Sequence, residues 1–598
     1  MMNRVQTGAI LGLAWGILFA CGSKREAGFD QPFSLPGETA DAAAAPAKEK
    51  TCMDPHCSLD RKSIIAGCGD ESSATLIQRC APDQGCSDKG CVDACESAEQ
   101  AKGSTGCSFW TLPPEDVGYG EGSCFVAMIA NTWDAPLTIS AEYDKAPLDL
   151  SNSTYTASKA GKETIYTPVA GPLPPRAVAL VFLSQGPRGP AGFSTYTSCP
   201  AGVTPALAVD PIAHGGNVVT KAIHLRTTLP VSAYSIYPYG GAKSYLTTAT
   251  LLLPSSSWST SHLAIGPWVY ERNYAPPSIE TPGQVLQIVA NEDDTFVQVD
   301  DERAAGWTLA RGEVLQLEKF TDYTGRSIAS TKPVGVFAGQ VCVKIPVTEG
   351  ACDVLQQALP PTRAWGSEYA LVSFPPRVQA EAGRSELLPW RIVAAADGTT
   401  LTFDPPLSAD VMSQLPSSTL SAGQGVTLTM NTPTTVRSQD AQHPLYVSSY
   451  MTGGTTNPAR EGDPEFVNVV PSDQFLQRYV FFTDFTYANT RLTVVRKKTS
   501  KGFAPVSLSC STGAGEISGF QPLGTAGHYE YAWLDLTKDS TPMKLSSGEC
   551  GYGRLEAASD GAFSVTVWGT DYHVSYGYPA GMAIRELNSV TLPTPVPH

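Results

Sequence analysis

Cysteine is the residue whose number and spacing carry the clearest chemistry in this chain. Of the 15 cysteines, Cys21 stands apart at the end of the run Leu18-Phe19-Ala20-Cys21, behind the apolar stretch Ala9 to Ala20 and the basic Arg4. This pattern resembles a lipoprotein processing signal, and the apolar run is too short for a comfortable transmembrane helix. It predicts a signal peptide at residues 1–21, cleavage before Cys21 and acylation of its thiol. An ordinary signal peptide that ends near a cysteine is the alternative.

The other 14 cysteines are an even number, as expected of disulfide pairs in an exported protein. Seven lie from Cys52 to Cys95 and an eighth is Cys107, which predicts a disulfide-rich module at residues 52–104. A zinc site is the alternative there, but export and the wide spacings favour disulfides. The remaining six are predicted to pair within the repeats described below, as Cys124 with Cys199, Cys342 with Cys352, and Cys510 with Cys550.

No sequence pattern typical of an enzyme occurs. The chain has no His-Glu-x-x-His, no Gly-x-Ser-x-Gly and no phosphate-binding loop, and its eight histidines are scattered without metal or triad spacing. We therefore predict a protein that is not an enzyme and has no catalytic residue, metal site or cofactor. A catalytic triad is nevertheless defined by geometry rather than by sequence order, so a hydrolase stays an alternative.

Two groups of acidic residues offer the oxygen ligands that calcium prefers. One comprises Asp293, Asp294, Asp300 and Asp301 around a predicted hairpin, and the other comprises Asp353 and Asp463, which recur at equivalent positions of a repeat. No Asp-x-Asp-x-Asp-Gly loop accompanies them, and acids in turns commonly bond to their own backbone. We interpret both groups as turn residues, with calcium as the alternative.

The composition describes an acidic chain rich in strands and turns. Only 16% of the 598 residues are charged, whereas Gly and Pro number 54 and 47, which favours short strands joined by turns. The net charge of −16 argues against a nucleic-acid or anionic-membrane binder, because either needs a basic face. Residues 22–51 are predicted to be a flexible Ala/Pro-rich linker.

An internal repeat organises the rest of the chain. A proline and two ring-bearing residues follow one another at four-residue intervals, and this ladder returns with a period of about a hundred residues or slightly more. Its three copies are Pro254, Trp258 and His262, then Pro361, Trp365 and Tyr369, then Pro471, Phe475 and Tyr479. Because the second member recurs at equivalent places, we predict that Trp258, Trp365 and Phe475 are core residues rather than ligand-stacking ones.

Short alternating runs and hairpin signals predict the fold class. Asp397-Gly398 between alternating apolar residues is a strong hairpin signal. We predict an all-β fold of packed β-sandwich-like repeats of about 100–110 residues, preceded by the small disulfide-rich module. The predicted units are residues 105–275, 276–385, 386–488 and 489–590. A β-propeller is the architectural alternative, although propeller blades recur at only about 40–50 residues.

A cluster of tyrosines gives the candidate binding surface. Tyr234, Tyr237 and Tyr239 lie close together on a predicted strand that Pro238 interrupts, and Tyr237 and Tyr239, two apart, would share a face. We predict that they form an exposed patch, with half-buried packing as the alternative.

Several motifs together resemble one known family. They are Gly106-Cys107-Ser108-Phe109-Trp110, the segment from Pro230 to Ala242, Lys332-Pro-Val-Gly-Val-Phe-Ala-Gly, and Ser575-Tyr-Gly-Tyr-Pro-Ala-Gly. Over residues 105–590 the chain resembles the IgGFc-binding protein N-terminal domain, in the form found in myxobacterial-type surface lipoproteins. The family's Cys-Asp-His-Leu pattern is Cys352-Asp353-Val354-Leu355 here. The resemblance implies an extracellular, non-catalytic binding or adhesion module.

These observations predict a surface protein that is lipid-anchored to the outer membrane or cell surface. Gly22, rather than Asp, follows the lipid-bearing cysteine, which by analogy with lipoprotein sorting favours the outer membrane. The expected partner is an extracellular protein or polysaccharide; the membrane is contacted through the lipid alone, and no nucleic acid is bound. A structural coat that self-associates and a secreted hydrolase are the alternative functions.

Overall fold

The computed structural model describes residues 54–595, except residues 59, 68–73, 117–119, 162, 190–194, 269–282, 303–304, 351, 378–385 and 387. The predicted signal peptide, Cys21, the linker, Cys52 and Cys68 lie outside these residues. Within the described part, no helix has the length and apolar character needed to cross a membrane.

The predicted all-β fold class is confirmed. The described residues form 41 strands and only two short α-helices. Strand Gly425–Met430 illustrates the cause, because its Val, Leu and Met side chains are buried while the threonines between them are half-exposed. This alternation has the period of a strand with one face on the core.

The disulfide-rich module comes first. It contains β1 (His56–Cys57), β2 (Ser63–Ala66), β3 (Thr75–Arg79), β4 (Gln84–Ser87), β5 (Gly90–Asp93) and α1 (Ala94–Ala101). Asp93 caps the helix by accepting hydrogen bonds from the amides of Cys95 and Glu96. The disulfides that staple the module are Cys57–Cys86, Cys80–Cys91 and Cys95–Cys107.

Four larger units follow. The first contains β6 (Thr105–Thr111), β7 (Phe125–Asn131), β8 (Ile139–Tyr143), β9 (Ala146–Leu148), β10 (Thr154–Ala160), β11 (Glu163–Pro168), β12 (Val178–Ser184), β14 (Ile223–Tyr237) and β15 (Thr248–Leu251). Strand β13 (Val218–Lys221) precedes β14 in the chain but pairs in the sheet of the second unit. The second contains β16 (Ser259–Leu263), β17 (Gln284–Ala290), β18 (Thr295–Val299), β19 (Trp307–Leu309), β20 (Glu313–Lys319), β21 (Ser327–Val343) and β22 (Asp353–Ala358).

The third unit contains β23 (Glu368–Leu371), β24 (Leu388–Ala394), β25 (Thr399–Thr400), β26 (Thr402–Asp404), α2 (Ala409–Met412), β27 (Thr419–Leu420), β28 (Gly425–Met430), β29 (Thr434–Arg437), β30 (Leu445–Met451) and β31 (Glu465–Asn468). The fourth contains β32 (Leu476–Thr483), β33 (Asn489–Lys497), β34 (Val506–Ser509), β35 (Gly513–Glu516), β36 (Gln521–Leu523), β37 (Tyr529–Lys538), β38 (Thr541–Lys544), β39 (Ser547–Cys550), β40 (Gly553–Asp571) and β41 (Val574–Pro579).

All four units share one antiparallel topology. A long strand (β14, β21, β29 continued by β30, or β40) pairs at one end with an entry strand (β6, β16, β23 or β32) and a short strand (β8, β18, β26 or β34). At its other end the long strand pairs along one edge with an inner strand (β15, β22, β31 or β41). Along the other edge it pairs with β7, β17, β24 or β33. Each unit is therefore two small sheets that share one long strand, which explains its sandwich-like character.

The inner strands meet one another around a common centre. The amide of Ala358 on β22 donates to Thr250 Oγ1 on β15 over 2.9 Å, and Asn468 on β31 donates to the carbonyl of Ala358 over 2.8 Å. Gln357 of β22 bridges β15 and β41 by donating to the carbonyls of Ala249 and Gly577 at 2.8 and 3.2 Å. Together with contacts of β41 to β31 and to β15, these pairs close a ring of four units.

The ladder residues connect consecutive units. Pro254, Pro361 and Pro471 each begin a short 3-10 turn, and Trp258, Trp365 or Phe475 ends it. These three rings are buried, as predicted for core residues. The entry strand that follows each turn pairs in the sheets of the next unit. Strands β16, β23 and β32 do so although they lie before the predicted unit boundaries at residues 276, 386 and 489.

Disulfides also staple three of the units. The structure joins Cys124 to Cys199, Cys342 to Cys352, and Cys510 to Cys550, the pairs expected from the sequence. Cys124–Cys199 ties the start of β7 to the long loop that follows β12, so it holds together chain segments that are 75 residues apart.

Candidate functional site

The tyrosine cluster predicted as an exposed surface is buried, so that prediction is wrong. Tyr234, Tyr237 and Tyr239 are 0%, 1% and 0% exposed. The Tyr234 hydroxyl donates to the carbonyls of Val480 and Ala580, which belong to the fourth unit. Tyr237 donates to Asp116, and Tyr239 packs against Phe182 and Tyr166. Sequence reasoning missed this burial because β14 is covered by segments that are distant in sequence.

The carboxylates Asp353 and Asp463 are buried at the centre of the ring and are not surface turn residues. Asp353 begins β22, Asp463 lies two residues before β31, and both are fully buried with Glu465. Burial, with repulsion from Asp463 and Glu465, raises the pKa of Asp353 well above its usual range. Burial also raises the pKa of Asp463 to about 7. Asp353 is therefore neutral at physiological pH, whereas Asp463 changes its charge near neutral pH.

The acids of the hairpin near residue 293 are distributed among cationic partners. Asp293 accepts hydrogen bonds from Lys145 Nζ and from the amide of Arg311, each at 2.9 Å. Asp301 forms an ion pair with Lys319 at 3.2 Å and another with Arg326. The contact of Asp293 to Lys145 ties this hairpin to the first unit, and its contact to Arg311 lies within the second unit. Both contacts support the structural interpretation of these residues.

One group of side chains has the composition and spacing of a metal site. The ligand atoms of Glu121, Asp210 and His214 lie within 4.8 Å of one another at the edge of the first unit. A hydrogen bond to Asp210 raises the pKa of His214 to about 9; burial lowers this pKa, and the negative charge of Asp116 raises it further. The imidazole is therefore protonated at neutral pH, and a metal ion would have to displace that proton.

A cavity lies between the disulfide-rich module and the first and fourth units. Its volume is about 480 Å³, within the range typical of small-ligand sites. We call it the seam cavity. It is lined by residues 57, 58, 60–62, 98, 101, 103–105, 132, 133, 232, 475–480, 558, 559, 580–583 and 585.

Both ends of the described chain form the walls of the seam cavity. The Ser104 amide donates to the Met582 carbonyl over 2.9 Å, and the Met582 amide donates to Ser104 Oγ over 3.0 Å. Gly103 pairs with Ala583 in an isolated bridge. The Lys102 carbonyl accepts from the amide of Ile584 at 2.8 Å. The segment after β41 thus fastens the module to the fourth unit and fixes the shape of the cavity.

The charged side chains that line the seam cavity are mainly cationic. Arg61, Lys62, Arg478 and Arg585 line it, against the single carboxylate of Asp60. Lys62 pairs with Asp134 at 2.8 Å and lies 5.3 Å from the ring centre of Trp133. Arg478 pairs with Glu556 at 2.7 Å. Neighbouring groups thus hold these long side chains in place.

Arg61 is fixed in the cavity wall by contacts of both its backbone and its side chain. Its backbone is in the left-handed region, with φ of 63°, and its carbonyl accepts a hydrogen bond from Cys86 at 2.6 Å. Its guanidinium donates to Ser97 at 3.3 and 3.4 Å. Burial lowers the pKa of Arg61, against the attraction of Asp88, yet an arginine stays charged at physiological pH. The adjacent Arg61 and Lys62, between Cys57 and Cys68, are a sequence signal that could have indicated this site.

The fold defines a disulfide-stabilised, all-β protein of the kind found in oxidising compartments. The family model described as IgGFc binding protein matches residues 248–569, from β15 into β40, which is more than half of the chain. The chain therefore belongs to the IgGFc binding protein family. The match begins after most of the first unit, so it is narrower than the predicted range of 105–590. No curated protein and no solved structure matches the chain.

Proposed function

We propose that this protein binds an acidic segment of an extracellular protein in the seam cavity while lipid at Cys21 anchors it to the outer membrane or cell surface. The observation that carries the proposal is the cationic, partly apolar lining of a ligand-sized cavity in a chain of net charge −16. The family is a binding family, and a binding function at this cavity requires no chemical step.

The charge of the lining favours a carboxylate-bearing ligand. Arginine presents a planar fork of donors that fits a carboxylate with two hydrogen bonds. Arg61 and Arg585 hold their positions through Ser97 and the carbonyl of Asp473, respectively, which leaves donor capacity for a ligand. Electrostatic complementarity of this kind contributes strongly to specificity and to the rate of association.

The apolar part of the cavity supports a peptide rather than a free anion. Phe475, Leu476, Val480 and Met582 contribute hydrocarbon surface, and Trp133 contributes a ring. Burial of an apolar side chain beside a carboxylate supplies affinity that charge alone lacks in salt. An acidic segment that also carries an apolar side chain matches both parts of the lining.

The first test measures direct binding with defined probes. The mature chain is titrated against the Fc fragment of immunoglobulin G, which the family's name specifies, and against a labelled peptide that contains acidic and apolar residues. Arg585→Glu changes the charge of the seam cavity, and Ala558→Trp reduces its free volume. We expect each variant to weaken binding at least about tenfold, or about 1.4 kcal/mol. Lys544→Glu and Ala514→Trp make the same changes at exposed positions outside the cavity and should leave binding unchanged.

Other outcomes separate the alternative functions. Binding that these cavity variants do not alter would place the recognition surface elsewhere and reject the proposal. Capture of an acidic polysaccharide, lost in Arg585→Glu, would change the ligand class but keep the site. Self-association without capture of either probe would favour a structural coat.

The anchor has an independent test. Incorporation of labelled palmitate into the wild-type chain, lost in Cys21→Ser, is the expected result, together with release of the variant from membranes. Equal incorporation in both chains would contradict lipidation at Cys21, with no consequence for the seam cavity.

A further inference from the structure

A serine, a histidine and a glutamate form a continuous hydrogen-bonded chain on the small sheet of the first unit. Ser108 Oγ lies 2.8 Å from His224 Nε2, and His224 Nδ1 lies 3.0 Å from Glu142 Oε1. These distances are those between nucleophile, base and orienting carboxylate in serine hydrolases, in which the three residues are defined by geometry and not by order along the chain. The seam cavity shares no residue with this group.

The sheet itself positions the three side chains. His224 on β14 is directly opposite Trp110 on β6 and Glu142 on β8. Ser108 is two residues before Trp110, so both side chains share one face of β6. Trp110 stacks on His224 with 4.1 Å between ring centres and 4° between planes, and its indole nitrogen donates to Asn291 over 2.8 Å. The imidazole is therefore held by a fixed ring and three polar neighbours, Ser108, Glu142 and Arg311, whose Nη1 lies 3.4 Å from His224 Nδ1.

The proton positions follow from the chemistry of the partners. The ionised Glu142 carboxylate only accepts hydrogen bonds, so the hydrogen between it and His224 belongs to Nδ1. Nε2 then accepts from the Ser108 hydroxyl, and Ser255 Oγ donates to Ser108 Oγ over 3.1 Å. A hydrogen bond from Arg311 lowers the pKa of Glu142, and burial lowers the pKa of His224 to about 4. The base is thus neutral and the carboxylate charged at physiological pH.

We propose that Ser108, His224 and Glu142 hydrolyse short-chain acyl esters of polar alcohols, an activity separate from the binding function proposed above. Ser108 and Ser255 are half-buried and reachable from solvent. The cavity beside this group measures about 240 Å³; Trp110, Glu142 and Arg311 are among its lining residues, whereas Ser108 and His224 are not. Its charged lining, which also includes Lys145 and Lys221, suits the polar carrier of a small acyl group and disfavours a long apolar chain.

The reaction would proceed in two halves, acylation and deacylation of Ser108. Ser108 Oγ attacks the ester carbonyl carbon as its proton passes to His224 Nε2, and the carbonyl electrons move to oxygen. The bond to the alcohol breaks when the intermediate collapses, and Nε2 returns the proton to the departing alcohol oxygen. Water then attacks the acyl carbon as one of its protons passes to Nε2. The bond between that carbon and Ser108 Oγ breaks, Nε2 returns the proton to Ser108 Oγ, and the carboxylic acid leaves. Glu142 stabilises the imidazolium that forms transiently in each half.

The test uses two readouts on the full chain. A fluorophosphonate probe should phosphonylate Ser108, with fluoride leaving and the Ser108 proton passing to His224, and peptide mass spectrometry should locate the label there. Hydrolysis of p-nitrophenyl acetate should fall at least about 100-fold in Ser108→Ala and in Glu142→Gln. Ser256→Ala changes a neighbouring half-buried serine and should keep both signals.

The outcomes separate a catalytic role from a structural one. His224 is buried, so His224→Gln is interpreted only if its circular dichroism spectrum and thermal midpoint match those of the wild type; Ser108→Ala removes one oxygen and tests the proposal without that condition. Label on any other serine, no label at all, or wild-type hydrolysis by Ser108→Ala would overturn the proposal. None of these results would affect binding at the seam cavity.

Discussion

The carboxyl group of Asp463 titrates inside the protein, where its neutral form is favoured. Burial raises its pKa from 3.8 to about 7, so the stability it contributes is complete below about pH 4 and is lost as pH rises through 7. Asp463→Asn keeps the shape but cannot ionise. Between pH 4 and 7.5 the wild type should lose up to roughly 4 kcal/mol relative to this variant. Denaturant midpoints measured across this range for both chains test the prediction.

An exposed acid supplies the control for Asp463. Asp560 lies at the surface, and Asp560→Asn should reproduce the wild-type dependence of the midpoint on pH. If Asp463→Asn and Asp560→Asn gave parallel curves, the carboxyl of Asp463 would already be ionised in the folded protein.

Tyr237 is predicted to matter for stability and not for recognition. Its hydroxyl donates to the buried Asp116 and to the carbonyl of Gly120, each at 2.7 Å. Tyr237→Phe leaves both acceptors short of a donor, which should cost about 1–3 kcal/mol. The free energy of unfolding should fall by that amount, while binding of the probes in the seam cavity stays at the wild-type level. Weaker binding by a stably folded Tyr237→Phe would restore a recognition role for the tyrosines.

The 3-10 turns that connect consecutive units depend on the ring at their end. Trp365 is fully buried, and its indole nitrogen donates to the carbonyl of Pro360 over 3.2 Å. Trp365→Ala should therefore cost about 3–5 kcal/mol through lost burial and a cavity. Trp307 on β19 is only half-buried, and Trp307→Ala should cost clearly less in the same thermal unfolding experiment. Equal costs would mean that the turn is not a specific point of attachment between units.

At the scale of single elements, local chemistry in the sequence was sufficient to predict much of the fold. The Asp397-Gly398 turn and the alternation in β28 identified strands because turn chemistry and side-chain alternation act over a few residues. The ladder prolines marked a real repeat, because each one fixes the same 3-10 turn. The predicted unit boundaries at residues 276, 386 and 489 leave each entry strand in the preceding unit. Sequence similarity identifies the repeat, but it does not show in which sheet a strand pairs.

The candidate sites were much harder to predict, because they are assembled by contacts between distant segments. Arg61 and Arg585 belong to opposite ends of the folded chain and meet only when the ring closes. Ser108 and His224 are 116 positions apart and become neighbours through strand pairing alone. Tyr234 resembled a surface residue because its cover, Val480 and Ala580, comes from the fourth unit.

The four units should behave as one cooperative body because the inner strands share buried hydrogen bonds. Gln357 contributes most directly, since its amide joins the carbonyls of Ala249 and Gly577 from two other units. Gln357→Leu leaves these buried carbonyls without that donor and should cost about 2–5 kcal/mol. It should also speed hydrogen exchange in both β15 and β41, as measured by mass spectrometry, because loss of the bridge loosens the whole ring.

The control for Gln357 is a glutamine with the same type of contact at the surface. Gln414 is exposed and exchanges hydrogen bonds with the backbone of Thr429, at 3.2 and 2.7 Å. Gln414→Leu should leave exchange in β15 and β41 at the wild-type rate, because water replaces the lost partner. Faster exchange confined to β22 in Gln357→Leu would indicate four units that are stable separately. Matched acceleration in β15 and β41 would instead identify the central polar contacts as the link that makes the ring fold as a whole.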